Sequence, residues 1–173
     1  MIKRPTLADI AAVANVSLMT VSRALNNKPG VSVELRKNIM QLADQMDYQP
    51  NTIARSLATN RTATIGLVVP DNTNPFFAEI ARGVEDAAFA SQYGVFLVNT
   101  NEEAAREETA LDSLQQKGID GLILCSSRLP DKKLSERIQR FPAVVLLNRE
   151  VKTARSNLTS INVDDRHGAL RRL

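Results

Sequence analysis

From about residue 62 onward, short apolar runs alternate with longer stretches of helical period, and this alternation limits the fold more than any other feature. Ile65-Gly66-Leu67-Val68-Val69, Val95-Phe96-Leu97-Val98, Gly121-Leu122-Ile123-Leu124, Ala143-Val144-Val145-Leu146-Leu147 and the short Ile161-Asn162-Val163 read as five strands. Uninterrupted apolar runs suit strands covered on both faces. Between the runs, Asn74-Pro75 reads as a cap with proline at the first helical position, followed by a stripe of Phe77, Ile80, Ala81, Val84 and Ala88. Glu102 to Gln116 and Asp131 to Arg140 read as further helices, and Asp165 begins another. Repeated β-α-β units imply a parallel sheet with helices on both faces.

The first 48 residues follow a different pattern, that of three short helices. Thr6 with Asp9 resembles a capping pair, and Leu7, Ile10, Ala11 and Ala14 recur at helical spacing. Asn15 can adopt the left-handed conformation that ends a helix. Ser17 can cap a second helix running to Leu25, and Ser32 a third with Leu35, Ile39, Leu42, Ala43 and Met46 on one stripe. Two short helices joined by about three residues, with a third behind them, form the helix-turn-helix pattern. Pro50 stops the third helix, and Asn51 can cap a two-turn stretch to Ala58 that is too short to be stable alone in water. The expected division is therefore 1–48 for the head, 49–61 for a hinge helix and linker, and 62–173 for an α/β lobe.

Charge separates the same regions. Residues 1–61 carry eight Lys/Arg against four acids, whereas the remainder carries 14 against 15. A basic head on a near-neutral body points to an anionic partner for the head. One cysteine, Cys125, allows neither an internal disulfide nor a thiolate zinc site, and one histidine, His167, leaves little material for histidine-based catalysis or metal binding. No metal or cofactor is expected. No apolar run reaches the roughly 18 residues of a spanning helix, and the N-terminus lacks an apolar signal core. A cytoplasmic protein without membrane attachment is the expectation.

The second helix carries the functional signal. At about 100° per residue, Met19, Ser22, Arg23 and Asn26 share one arc, opposite Val21, Ala24 and Leu25. Hydroxyl, guanidinium and amide groups on one face are the types that contact phosphates and base edges. An ordinary surface helix shows the same amphipathic pattern, so the arc alone leaves both readings open.

The order and separation of several motifs narrow the choice. Thr6-Leu7-Ala8-Asp9-Ile10-Ala11, Asn15-Val16-Ser17, Thr20-Val21-Ser22-Arg23-Ala24-Leu25-Asn26, Tyr48-Gln49-Pro50-Asn51 and Ala54-Arg55-Ser56-Leu57 closely resemble the lactose/galactose repressor (LacI–GalR) family. Ile65-Gly66-Leu67-Val68-Val69-Pro70 and Asn74-Pro75-Phe76-Phe77 fit the start of that family's sugar-binding-protein-like core. The resemblance implies a repressor that binds a pseudo-palindromic operator as a homodimer, with the second helix in the major groove. It implies DNA contacts at Thr6, Ser17, Leu18, Met19, Thr20, Ser22, Arg23, Asn26, Asn51, Arg55 and Leu57. Leu18 and Met19 hold the positions that vary with operator choice; apolar here, they favour van der Waals contact, although Met19 also fits simple tolerance at an exposed site. Leu57 would wedge into the minor groove at the operator centre, or else dock on the core.

For the lobe, the resemblance implies one half of a sugar or purine receptor of periplasmic-binding-protein type. Ligands of open α/β sheets bind outside the carboxyl ends of the strands, which selects Asp71, Asn72, Phe76, Phe77, Asn148, Arg149 and Asp164 as effector residues. Phe77 also lies on the buried stripe, which leaves a purely core role open for it. With no second lobe in the sequence, the chain is expected to bind effector poorly and operator weakly or constitutively. An enzyme reading has little support: Val69-Pro70-Asp71-Asn72-Thr73-Asn74 contains no glycine, so neither a dinucleotide fingerprint nor a phosphate loop is present. A free-standing sugar receptor would have no use for a basic helix-turn-helix head.

Overall fold

Thr6 and Asp9 begin the first helix by capping each other. The Asp9 N–H donates to Thr6 Oγ1 (3.3 Å), while Asp9 Oδ2 accepts from the Thr6 N–H (2.8 Å) and hydroxyl (2.6 Å). The computed structural model describes residues 5–49, 56, 59, 61–151 and 156–162. It divides into two compact units, Met1–Asn51 and Thr52–Leu173.

The first unit contains α1 (Leu7–Ala14), α2 (Leu18–Leu25) and α3 (Val33–Gln45). Asn15 ends α1 in the left-handed conformation (φ 53°, ψ 44°), as its short polar side chain permits. The chain bends by 106° between α1 and α2, within the range of helix-turn-helix units. Ile10, Val21 and Ile39 are fully buried, one from each helix, with Ala11, Ala24 and Ala43 around them. Each such aliphatic side chain contributes about 1.5–3 kcal/mol relative to leaving it in water.

The second unit is a five-stranded parallel sheet in the order β2-β1-β3-β4-β5, formed by β1 (Thr64–Val69), β2 (Gly94–Asn99), β3 (Gly121–Cys125), β4 (Val144–Leu147) and β5 (Leu158–Ile161). Its helices are α4 (Pro75–Ala90), α5 (Ala104–Gln116) and α6 (Asp131–Ile138). Strand alternation sorts the core into two layers. Leu67, Val69 and Cys125 meet Phe77, Ile80 and Val84 of α4 on one face. Val68, Leu122, Leu124, Val144 and Leu146 meet Leu111 and Leu114 of α5 and Leu134 and Ile138 of α6 on the other. Gly66 lets that second layer approach closely, because a Cβ there would stand 2.7 Å from Ile119 Cδ1 and 2.9 Å from Leu114 Cδ1.

Two elements differ from the sequence reading. The second helix of the lobe, expected from Glu102, starts at Ala104: Asn101 and Glu102 both have positive φ (52° and 60°), outside the helical region. The fifth strand, expected at 161–163, occupies Leu158–Ile161, where pairing of Val144 with Leu158 and of Leu147 with Ile161 sets its register. Among the described residues no single helix is long and apolar enough to cross a membrane.

Candidate nucleic-acid interface and effector cleft

Helix α2 is built to present one face outward. Ser17 caps it, its Oγ accepting from the Thr20 N–H (3.1 Å) and sharing a hydrogen bond with the Thr20 hydroxyl (2.9 Å). Val21 and Ala24 are buried and Leu25 packs against the same cluster. Met19, Arg23 and Asn26 are exposed on the other side, Met19 at 62%, while Leu18 is 52% exposed at the edge of the buried face and Thr20 and Ser22 are half-buried. Such exposure of two large apolar side chains beside a guanidinium has no use in the head's own packing. Asn26 Nδ2 donates to Ser22 O at 2.8 Å, which leaves its second amide N–H and Oδ1 for outside contacts. Thr6 is exposed but spends its hydroxyl proton on Asp9. Asn51, Arg55 and Leu57 lie outside the described residues, as does Asp164.

The other candidates collect at the carboxyl end of the sheet. Connections from β1 and β3 leave toward opposite sides of the sheet, and this order places the ligand crevice of a doubly wound sheet at the β1–β3 junction. Asp71 follows β1 and accepts from the Thr73 hydroxyl (2.7 Å) and N–H (2.9 Å). Those bonds, the hydroxyl first, hold its carboxyl below the usual range. The Asn72 N–H donates to Asn99 Oδ1 (3.2 Å), and Asn99 Nδ2 donates to Asn101 Oδ1 (2.6 Å), which ties the loops after β1 and β2 together. Asn74 caps α4 through the Phe76 N–H.

Phe76 is 41% exposed, whereas Phe77 is 8% exposed and packs in the core against β1. Their rings meet edge-on at 5.1 Å between centroids. Asn148 follows β4 with φ 54°, its N–H donating to Ile161 O. Arg149 reaches sideways, donating from Nη2 to Leu129 O (2.9 Å) and Asp131 Oδ1 (2.7 Å), and its buried Nε has no hydrogen-bond partner among the described residues.

Three contributions escape the sequence reading. Asn99 and Asn101 stand at the end of β2, where the same strand-end rule would have selected them. Glu107 is buried and binds the loop after β3 through the Ser127 hydroxyl and the Arg128 N–H (2.8 Å). Arg36 binds the end of α2 from α3. Among the described residues no group of His, Cys, Asp and Glu is arranged to hold a metal ion.

Comparison with known proteins agrees with both units. Residues 6–51 match the family of bacterial regulatory proteins of lacI type, and residues 62–169 match the periplasmic binding proteins and sugar-binding domain of the LacI family. The ribose operon repressor of Halalkalibacterium halodurans is 46% identical over 131 residues, covering 76% of this chain and 40% of that protein. Catabolite control protein A of Priestia megaterium is 33% identical over 159 residues, covering 92% and 47%. The chain thus spans half or less of the length of the curated relatives it matches.

Among solved structures, the lac repressor dimer bound to operator and the anti-inducer ONPF superposes with a TM-score of 0.81 at 23% identity, over 98% of this chain and 52% of that one, a likeness of fold. A periplasmic binding protein/LacI transcriptional regulator from Alkaliphilus metalliredigens, complexed with D-xylulofuranose, gives 0.55 at 31% identity, over 64% and 39%. With a helix-turn-helix head, a parallel lobe and both family signatures in order, the chain belongs to the LacI family of bacterial regulatory proteins.

Proposed function

We propose that this chain is the DNA-reading part of a transcriptional repressor that binds a pseudo-palindromic operator as a homodimer and carries no enzymatic activity. The observation that supports this best is the outward face of α2, where Leu18, Met19, Arg23 and Asn26 stand exposed on a helix whose other face is anchored in the head core. Residues 1–48 form the reading head, 49–61 the hinge and 62–173 the lobe. Ser17 and Thr6 meet phosphate; Thr20, Ser22, Arg23 and Asn26 meet phosphates and base edges; Leu18 and Met19 select the operator by apolar contact. Asn51, Arg55 and Leu57 serve the hinge. The lobe offers Asp71, Asn72, Phe76, Asn148, Arg149 and Asp164 to a sugar or related metabolite, and the protein works on DNA in the cytoplasm.

Selection from a pool of randomised duplex DNA tests the reading. A palindromic site should emerge, and its affinity should fall steeply with salt as phosphate contacts release counterions. Arg23→Ala should weaken it strongly. A Leu18→Tyr, Met19→Gln double variant should return a different site with its stability little changed, each base contact being worth about 1–3 kcal/mol of discrimination. Equal affinity of the wild-type chain for the selected site and for random duplex refutes the assignment.

A further inference from the structure

Arg36 lies on α3, outside the exposed arc of α2. Its guanidinium donates from Nη1 to Ala24 O (2.8 Å) and Arg23 O (3.3 Å), and from Nη2 to Lys28 O (2.7 Å). These three carbonyls belong to the last turn of α2 and the turn that follows. Arg23 O and Ala24 O also accept from the backbone N–H groups of Lys28 (2.9 Å) and Asn27 (3.3 Å), so the fork adds to bonds already made at a helix end that carries partial negative charge. A planar cation with several donors in a fixed fork satisfies such a cluster at once; an ammonium, with one nitrogen, does not span it. Asn26 closes a different carbonyl, that of Ser22. Below the same turn Gly30 has φ +92°, and a Cβ built there would stand 3.4 Å from Arg23 Nη1.

We propose that Arg36 is a positioning residue for base reading: it fixes the carbonyls of Arg23, Ala24 and Lys28 and so sets the direction in which the Arg23 side chain leaves α2, with the Gly30 backbone beneath its guanidinium. The proposal rests on α2 being the DNA-reading helix. The half-buried charge of Arg36 is directed at carbonyls, so it is not one of the phosphate contacts.

The test uses the full chain, the duplex it selects from a randomised pool, and a scrambled duplex. Arg36→Lys keeps the charge and removes the fork. Affinity for the selected duplex should fall about tenfold or more, the scale of one lost bidentate base contact. Affinity for the scrambled duplex and the salt slope should stay unchanged. In an Arg23→Ala background the same substitution should cost less than about twofold, because its effect passes through Arg23.

Undiminished discrimination by Arg36→Lys overturns the proposal. So does equal loss on both duplexes with a shallower salt slope, which makes Arg36 a phosphate contact, and so does a full additive loss in the Arg23→Ala background. If Arg36→Lys loses helical content by circular dichroism, the Arg23→Ala background decides, compared at a temperature where both variants stay folded: a cost that vanishes there supports the proposal and an additive cost overturns it. A wild-type chain that binds both duplexes alike fails the DNA-reading assignment instead.

Discussion

The Ser127 hydroxyl donates to Glu107 inside the lobe, where the two residues are 5% and 2% exposed. Glu107 Oε2 accepts from the Arg128 N–H at 2.8 Å, and Ser127 Oγ accepts from the Leu129 N–H at 3.2 Å. A carboxylate on α5 thus holds the loop that leaves β3, next to the proposed crevice. Leaving a buried polar group without its partner costs about 1–3 kcal/mol, more if it is charged. Ser127→Ala should destabilise the lobe on that scale, and Glu107→Ala should cost more because it orphans both the Ser127 hydroxyl and the Arg128 N–H. Urea unfolding followed by circular dichroism measures both; an unshifted midpoint in Glu107→Ala means the pair stabilises nothing.

Gly66 is the second pressure point. A methyl group at this position would sit inside the contact distance of Ile119 and Leu114. Both neighbours are buried, at 2% and 1% exposure, so their terminal methyls must turn within a packed core to make room. Gly66→Ala should therefore destabilise by about 1–3 kcal/mol, the usual cost of overpacking. The double variant Gly66→Ala, Leu114→Ala should lose less than the sum of the two single losses, a coupling that melts of the single and double variants detect.

Burial pushes the Cys125 thiol up to about 11, so at neutral pH almost none of it is the reactive thiolate. It is also 2% exposed. A maleimide or aromatic disulfide reagent should leave the folded chain unlabelled at pH 7 and label one site per chain in denaturant. Rapid stoichiometric labelling without denaturant would show that β3 opens far more often than its packing implies.

Lys133, whose Nζ lies 2.6 Å from Glu108, and Arg137 hold the Glu108 carboxyl below its ordinary 4.5. A carboxyl depressed in the folded state adds stability above the unfolded value, and that contribution is lost as pH falls through the folded value. Wild type should thus exceed Glu108→Gln in stability at pH 7, with the difference closing as the pH drops below about 4.5 and onward through the depressed value. High salt should also narrow it, since the pair is open to solvent. Paired melts across pH 3–7 read the trend; a difference that grows toward acid contradicts the sign of the argument.

Local chemistry makes the head legible in sequence. Thr6 with Asp9, Ser17 and Ser32 all cap where hydroxyl and carboxylate spacing say they should, and Asn15 takes the left-handed turn. In the lobe, four of the five strands and the three helices announce themselves by apolar period and by Asn74-Pro75. The register of β5 does not, because Leu158-Thr159-Ser160-Ile161 is only half apolar and takes its place from β4. The same limit hides Arg36 and Glu107. As sequence, both are ordinary surface-type charges; only chain segments that meet in space, 12 residues apart for Arg36 and Ala24 and 20 apart for Glu107 and Ser127, show what each one binds.

The strand order has a consequence for synthesis. The contacts of the head are among three helices close together in the chain, and such local contacts form quickly. The central strand β1 is different: it pairs first with β2, but its other edge waits for Gly121 to Leu124 to leave the ribosome. At about 5–20 residues per second this takes seconds. During that interval Leu67, Val68 and Val69, which end up almost completely buried, stand as an apolar ribbon with one unsatisfied edge, a template for another nascent chain. Pro70, directly after them, offers no N–H to such a ladder and so truncates the template at its most apolar end. Nascent chains arrested before Gly121 should be the species that chaperones hold.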